Sequence, residues 1–207
     1  MKGLPLMHAS TSNASFINKT LSKVPEVTLG FWIIKILATT LGETGGDAVS
    51  MSMGLGYLTG TIIFAAIFLV AVIAQIKAEK FHSFLYWATI IATTTVGTTL
   101  ADFADRSLGI GYAGGSLLLL GLLSGSLAVW YKSLGTISVK SIVTPRAEMF
   151  YWMTIMFSQT LGTALGDWTA DTADLGYLGA AAIFSAALAV IVLLYFTTRV
   201  SRTILFW

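Results

Sequence analysis

Residues 31–57 read FWIIKILATTLGETGGDAVSMSMGLGY, residues 86–112 read YWATIIATTTVGTTLADFADRSLGIGY, and residues 151–177 read YWMTIMFSQTLGTALGDWTADTADLGY. Aligned without a gap, they share Trp32, Trp87 and Trp152, then Thr40, Thr95 and Thr160, Gly42, Gly97 and Gly162, and Asp47, Asp102 and Asp167. Each copy closes on a Gly-Tyr pair, at Gly56-Tyr57, Gly111-Tyr112 and Gly176-Tyr177. The common pattern is W-x7-T-x-G-x4-D-x8-G-Y, with an aromatic residue (Phe31, Tyr86 or Tyr151) before each Trp. Self-similarity at this period marks a chain built from one repeated supersecondary unit. Apolar runs on both sides of each Gly-Tyr reversal make that unit a helical hairpin.

The apolar runs set the solvent. Of 207 residues, 56% are apolar and 11% are charged, and the mean hydropathy is +0.81. A water-soluble globule carries about 25% charge, so the composition indicates a polytopic membrane protein. A net charge of +2 without a basic cluster argues against nucleic-acid binding, and the absence of cysteine excludes disulfides, thiolate metal sites and thiol catalysis. Six stretches, roughly 29–49, 54–76, 84–104, 109–131, 149–170 and 176–197, reach the ~20 residues that a helix needs to cross a bilayer. In hydrocarbon each backbone amide must be satisfied within its own segment, so all six are expected to be helices.

The expected fold is therefore an all-α polytopic membrane protein, with six transmembrane helices in three tandem hairpins related by an axis along the membrane normal. The segments are a mobile leader over 1–23, hairpins over 24–82, 83–132 and 147–200, a connection over 133–146, and the start of a fourth unit over 201–207. Thr144-Pro145 reads as an N-cap and first helical position. Lys2, Lys19, Lys23, Lys77, Lys80, Lys132, Lys140, Arg146, Arg199 and Arg202 fall on one side and Arg106 on the other, so the positive-inside rule makes both termini cytoplasmic. The glycosylation patterns at Asn13 and Asn18 would then face the wrong compartment and are read as chance.

Phe206-Trp207 repeats the aromatic-Trp opening, 55 residues after Tyr151-Trp152, the same interval that separates Trp32 from Trp87. The run Lys23-Val24-Pro25-Glu26-Val27-Thr28, the run from Phe31 to Thr40 and the three Gly-x4-Asp units resemble a bacterial family of integral membrane proteins built from four copies of a membrane domain of unknown function. The resemblance runs from about residue 22 to the end and implies the bacterial inner membrane. It also implies a four-hairpin relative, of which this sequence shows three hairpins and the opening of a fourth.

Ten carboxylates occur, and seven of them (Glu43, Asp47, Asp102, Asp105, Asp167, Asp171, Asp174) fall at or beyond the outer ends of the odd-numbered spans, with only Lys35 and Arg106 near them. So many acids in low dielectric require protonation, bound cations or a wet vestibule. Thr and Asp seven apart lie within about 20° on a helix. Thr40/Asp47, Thr95/Asp102 and Thr160/Asp167 thus form three equivalent stripes that could converge on the pseudo-symmetry axis. Glu43, found only in the first unit, is the candidate proton-coupling or extra ligand group, and Lys35 is either its counter-charge or an interfacial snorkel.

Carboxylates and hydroxyls are hard ligands, favouring Na⁺, K⁺, Mg²⁺, Ca²⁺ or Mn²⁺. The expected function is a transporter or channel for such a cation, without cofactor or enzymatic activity, embedded in lipid and open to homo-oligomerisation. Two other readings stay open: a non-catalytic membrane subunit or assembly factor, and an intramembrane aspartyl protease built on Gly166-Asp167. Plain structural roles compete residue by residue. Arg106 at i+4 from Asp102 suits a helix-end ion pair, and Asp171 and Asp174 suit a wet helix end. Gly42, Gly97 and Gly162 suit close helix packing, the repeated Trp an interfacial aromatic belt, Met51 and Met53 packing, and His8 and His82 solvent.

Overall fold

The computed structural model describes residues 23–172 and 175–207. The leader up to residue 22, with His8 and both glycosylation patterns, and Asp174 lie outside them. Among the described residues the chain is all helical: α1 (Leu29–Asp47), α2 (Tyr57–Lys77), α3 (Ser83–Asp102), α4 (Gly111–Leu134), α5 (Pro145–Asp167), α6 (Gly176–Thr197) and the short α7 (Arg202–Phe206). Four of these helices, α2, α3 with its extension to Ser107, α4 and α6, are long and apolar enough to cross a membrane. α1 and α5 match them in length but not in apolarity, since they carry Lys35, Glu43 and Asp47, and Glu148, Gln159 and Asp167.

Local signals account for the helix ends. Thr28 caps α1 by accepting from the Phe31 amide at 3.3 Å, and Thr144 caps α5 by accepting from the Ala147 amide at 3.2 Å, with Pro145 at the first helical position. At the other end each odd helix changes winding straight after its repeated Asp. Ala48–Ser52, Phe103–Ser107 and Trp168–Thr172 are all π-helical, a local overwidening often found at functional sites. The chain then reverses at the Gly of the Gly-Tyr pair, where φ is 77° at Gly56, 67° at Gly111 and 62° at Gly176, values that a side chain would strain.

The packing follows an offset rule. First helices of successive hairpins lie against each other, α1 on α3 and α3 on α5, while α2 packs on α3 and α4 on α5, so a hairpin's second helix seats on the next hairpin's first. The two helices of one hairpin meet chiefly at the π turn between them. α3 is thus surrounded, and Thr89, Thr93, Thr94, Thr95, Thr98 and Thr99 on it are all buried. Most of their hydroxyls donate to carbonyls three or four residues back, as Thr93 does to Ile90 at 2.7 Å and Thr99 to Thr95 at 3.1 Å, which lets hydroxyls line a tightly packed seam.

Glycine makes that seam possible. A Cβ on Gly42 would stand 2.7 Å from the Thr94 Cβ and 2.9 Å from the Ile91 carbonyl oxygen, and one on Gly97 would stand 2.9 Å from the Thr160 hydroxyl. The third copy differs, because a Cβ on Gly162 would meet nothing within 4 Å.

At the opposite end from the aspartates, the aromatic-Trp openings join in a closed cycle. Phe31 meets Trp87 at 5.5 Å between ring centroids, Tyr86 meets Trp152 at 5.5 Å, Tyr151 meets Trp207 at 6.2 Å, and Phe206 returns to Trp32 at 5.9 Å. The buried Tyr86 and Tyr151 hydroxyls hydrogen-bond at 2.6 Å. The repeated Trp residues, Trp152 only 2% accessible and Trp32 and Trp87 partly buried, thus pack between units through ring-on-ring contacts.

The last residue assigned to the leader, Lys23, is buried. Its ammonium donates to the carbonyls of Gln75, Ile76 and Ala78 at 2.8–3.2 Å, satisfying the C-terminal end of α2, and pairs with buried Glu148 of α5 at 2.6 Å.

Candidate functional site

The acids gather where the π turns of α3 and α5 meet. Arg106, one turn past Asp102, donates from Nε to Asp102 Oδ1 at 2.9 Å and from Nη2 to Asp167 Oδ2 at 3.3 Å, with Asp171 Oδ2 at 3.9 Å. The Tyr112 hydroxyl donates to Asp171 at 2.7 Å, and the guanidinium lies 5.6 Å from the Tyr112 ring. Two of the three repeated aspartates, from different hairpins, therefore converge on a single positive charge. The planar fork of Arg can address two carboxylates at once, which a point charge on Lys could not do with the same geometry. The expected i,i+4 pair is present, but Arg106 is a bridge between units as well as a helix-end partner.

The other expected site residues fall elsewhere. Asp47 is half-buried and, among the described residues, makes neither an ion pair nor a hydrogen bond; Glu43 is exposed on the same helix. The hydroxyls of Thr40, Thr95 and Thr160 donate to Ile36, Ile91 and Met156 of their own helices at 2.8–3.0 Å. Among the described residues no three acidic, histidine or cysteine side chains sit close enough to hold a metal ion. Of the expected set, Asp47 stands outside the ion pairs of Arg106 but within electrostatic reach of Arg106, Asp102 and Asp167, and Glu43 is within reach of Asp47 and Asp167. The offset packing accounts for the difference: α1 and α5 both border α3 with little direct contact between them, so Asp102 and Asp167 reach Arg106 as ion pairs while Asp47 does not. Lys35 pairs with neither Glu43 nor solvent, since its ammonium is buried with no hydrogen-bond partner among the described residues.

Sequence reasoning missed three polar features that the structure brings out. Asp105 is buried with both carboxylate oxygens lacking a hydrogen-bond partner among the described residues, packed on Gly115 so closely that a Cβ there would reach 1.8 Å from Oδ1. Its equivalents in the aligned units are Ser50 opposite Gly60 and Ala170 opposite Ala180, all small, and that contrast was visible in the alignment. Gln159 accepts from the Thr94 hydroxyl across the α3/α5 seam. The Lys23–Glu148 pair had no local signal, because it joins residues 125 apart in the chain.

The sequence pattern described as Repeat of Unknown Function (DUF347) matches residues 30–81, 85–136 and 150–201. The chain belongs to that family. Each DUF347 match takes in one helical hairpin with its Trp, Thr, Gly and Asp positions and its Gly-Tyr reversal. No curated protein and no solved structure matches the chain. In this member, then, the DUF347 repeat is a first helix that ends in Asp, a π turn, and a second helix that seats on the following copy.

Proposed function

We propose that this DUF347 protein is a transporter or channel for a small hard cation, with six helices crossing the bacterial inner membrane as three hairpins and both termini in the cytoplasm. The lysine and arginine distribution supports that orientation. The observation that carries the function is the convergence of Asp102 and Asp167, from two hairpins, on one cation, which in this state is the Arg106 side chain. Glu43, Asp47, Asp105 and Asp171 add negative charge around it, so a hydrated metal ion entering the outer mouth would compete with the guanidinium for the same oxygens. Asp47, at the equivalent position in the first hairpin and without an ion pair among the described residues, would be the next ligand offered.

The test is flux of Na⁺, K⁺, Mg²⁺, Ca²⁺ and Mn²⁺ into liposomes carrying the purified protein. One of these ions should move above the protein-free rate, and Asp102→Asn and Asp167→Asn should each reduce its flux by about tenfold or more, the scale of losing a charge-assisted contact. Arg106→Gln should strengthen cation-dependent thermal stabilisation. Protein-free rates for every ion would remove the proposal.

The reading as a membrane subunit has one specific observation in its favour. α6 is apolar throughout, and only Ala180 on it is buried, which leaves a helix-length face for lipid or for another protein. Recovery in a fixed stoichiometric complex, together with unaltered behaviour of the Asp variants, would favour it. The protease reading is weaker, since catalysis of that kind needs two carboxyls sharing one proton, whereas Asp102 and Asp167 both turn to Arg106.

A further inference from the structure

A cavity of about 100 Å³ lies between α1 and α5 near the aromatic cycle, bordered by Lys35, Ser158, Gln159 and the rings of Trp32, Tyr151 and Trp207. Two polar groups on its wall are buried and unpartnered among the described residues: the Lys35 ammonium and the Gln159 side-chain nitrogen. Both are donors only. On the same wall the Gln159 carbonyl oxygen accepts from the Thr94 hydroxyl, the Tyr151 and Tyr86 hydroxyls bond each other, and Ser158 adds only a neutral hydroxyl.

Among the described residues no acidic side chain pairs with Lys35. Glu148 is engaged by Lys23, and Glu43 is eight residues along α1 from Lys35, about 12 Å away, and exposed. Buried donors without bound acceptors, one of them an amine whose charged form an anion would favour, are costly, so a cavity of this kind is complementary to an anion with at least two acceptor atoms. A carboxylate has two such oxygens. The remaining wall, of aromatic rings and Ile155, suits a short alkyl tail.

We infer that the cavity between α1 and α5 is a binding site for a short-chain monocarboxylate, whose oxygens accept from Lys35 and Gln159 while its tail rests on the aromatic rings. The site is separate from the acid cluster. Lys35 lies 12 residues, about 18 Å, from Asp47 along α1.

The experiment is thermal unfolding of the full purified chain in detergent, titrated with sodium propionate against sodium chloride at equal ionic strength. Sodium is common to both arms, so a cation site contributes equally to each. Propionate should raise the unfolding midpoint saturably and chloride should not. Lys35→Met removes the buried charge without leaving a void, and should raise the starting midpoint while weakening propionate half-saturation by about tenfold or more. Gln159→Glu keeps an acceptor for Thr94 and supplies Lys35 with an internal carboxylate, so it too should abolish the propionate response. An equal effect of chloride, no effect of propionate, or an undiminished response in Lys35→Met would overturn the inference.

Discussion

The two sides of α5 carry the same kind of residues and meet opposite surroundings. On the side facing α3, Thr160 is fully buried against Gly97, in a contact that leaves no room for a methyl group. On its other side Gly162, equivalent to Gly97, faces open space, and in the same way Thr40 of α1, equivalent to Thr160, is exposed. One repeat therefore encodes a plug and a socket. The lesson is that a repeated glycine specifies a capacity for close approach, and a neighbouring helix has to be present before that capacity becomes stability.

Substitutions can break or sharpen this contrast. The strongest effect is expected where α5 is tied to the start of the described chain. Glu148→Gln leaves the Lys23 ammonium buried without its counter-charge and should cost about 3–5 kcal/mol in detergent unfolding. Next comes the socket itself. Gly42→Ala drives a methyl into the Ile91 carbonyl and should cost about 3 kcal/mol, and Gly97→Ala about 1–2 kcal/mol, because the Thr160 hydroxyl can yield somewhat. Gly162→Ala should reverse the sign, stabilising by about 0.5–1 kcal/mol through helix propensity alone. Destabilisation there as large as at Gly42 would mean that a further helix packs on this face of α5. The smallest change is expected for Asp171→Asn, below about 1 kcal/mol, since that carboxylate is 41% accessible and reaches Arg106 only at 3.9 Å.

The helices were the most legible part of the sequence. The six apolar stretches correspond within a few residues to α1–α6, and Thr144-Pro145 does open α5 as its chemistry requires. Hydrophobic length and capping act locally, so local reading suffices. The site was only half legible. The i,i+4 spacing indicated the pair of Arg106 with Asp102, yet the sharing of that guanidinium with Asp167, and not with Asp47, depends on how α1, α3 and α5 are arranged around one another. The Trp positions show the same division. Their repetition was plain, but a tryptophan anchored at an interface and one riveted between hairpins have identical local sequence.

The amino-acid sequence alone determined that the chain is helical and apolar, that it contains three copies of one repeat, and where each copy turns, because backbone satisfaction, helix length and glycine's left-handed conformation are properties of short segments. Tertiary structure decided which copies touch. It seated each second helix on the next unit, closed the aromatic cycle through Phe206 and Trp32, and gave Arg106 two aspartates while leaving Lys35 and Gln159 facing a cavity. Apart from the i,i+4 pair of Arg106 with Asp102, those outcomes rest on contacts between different helices, for which short-range pattern carries no information.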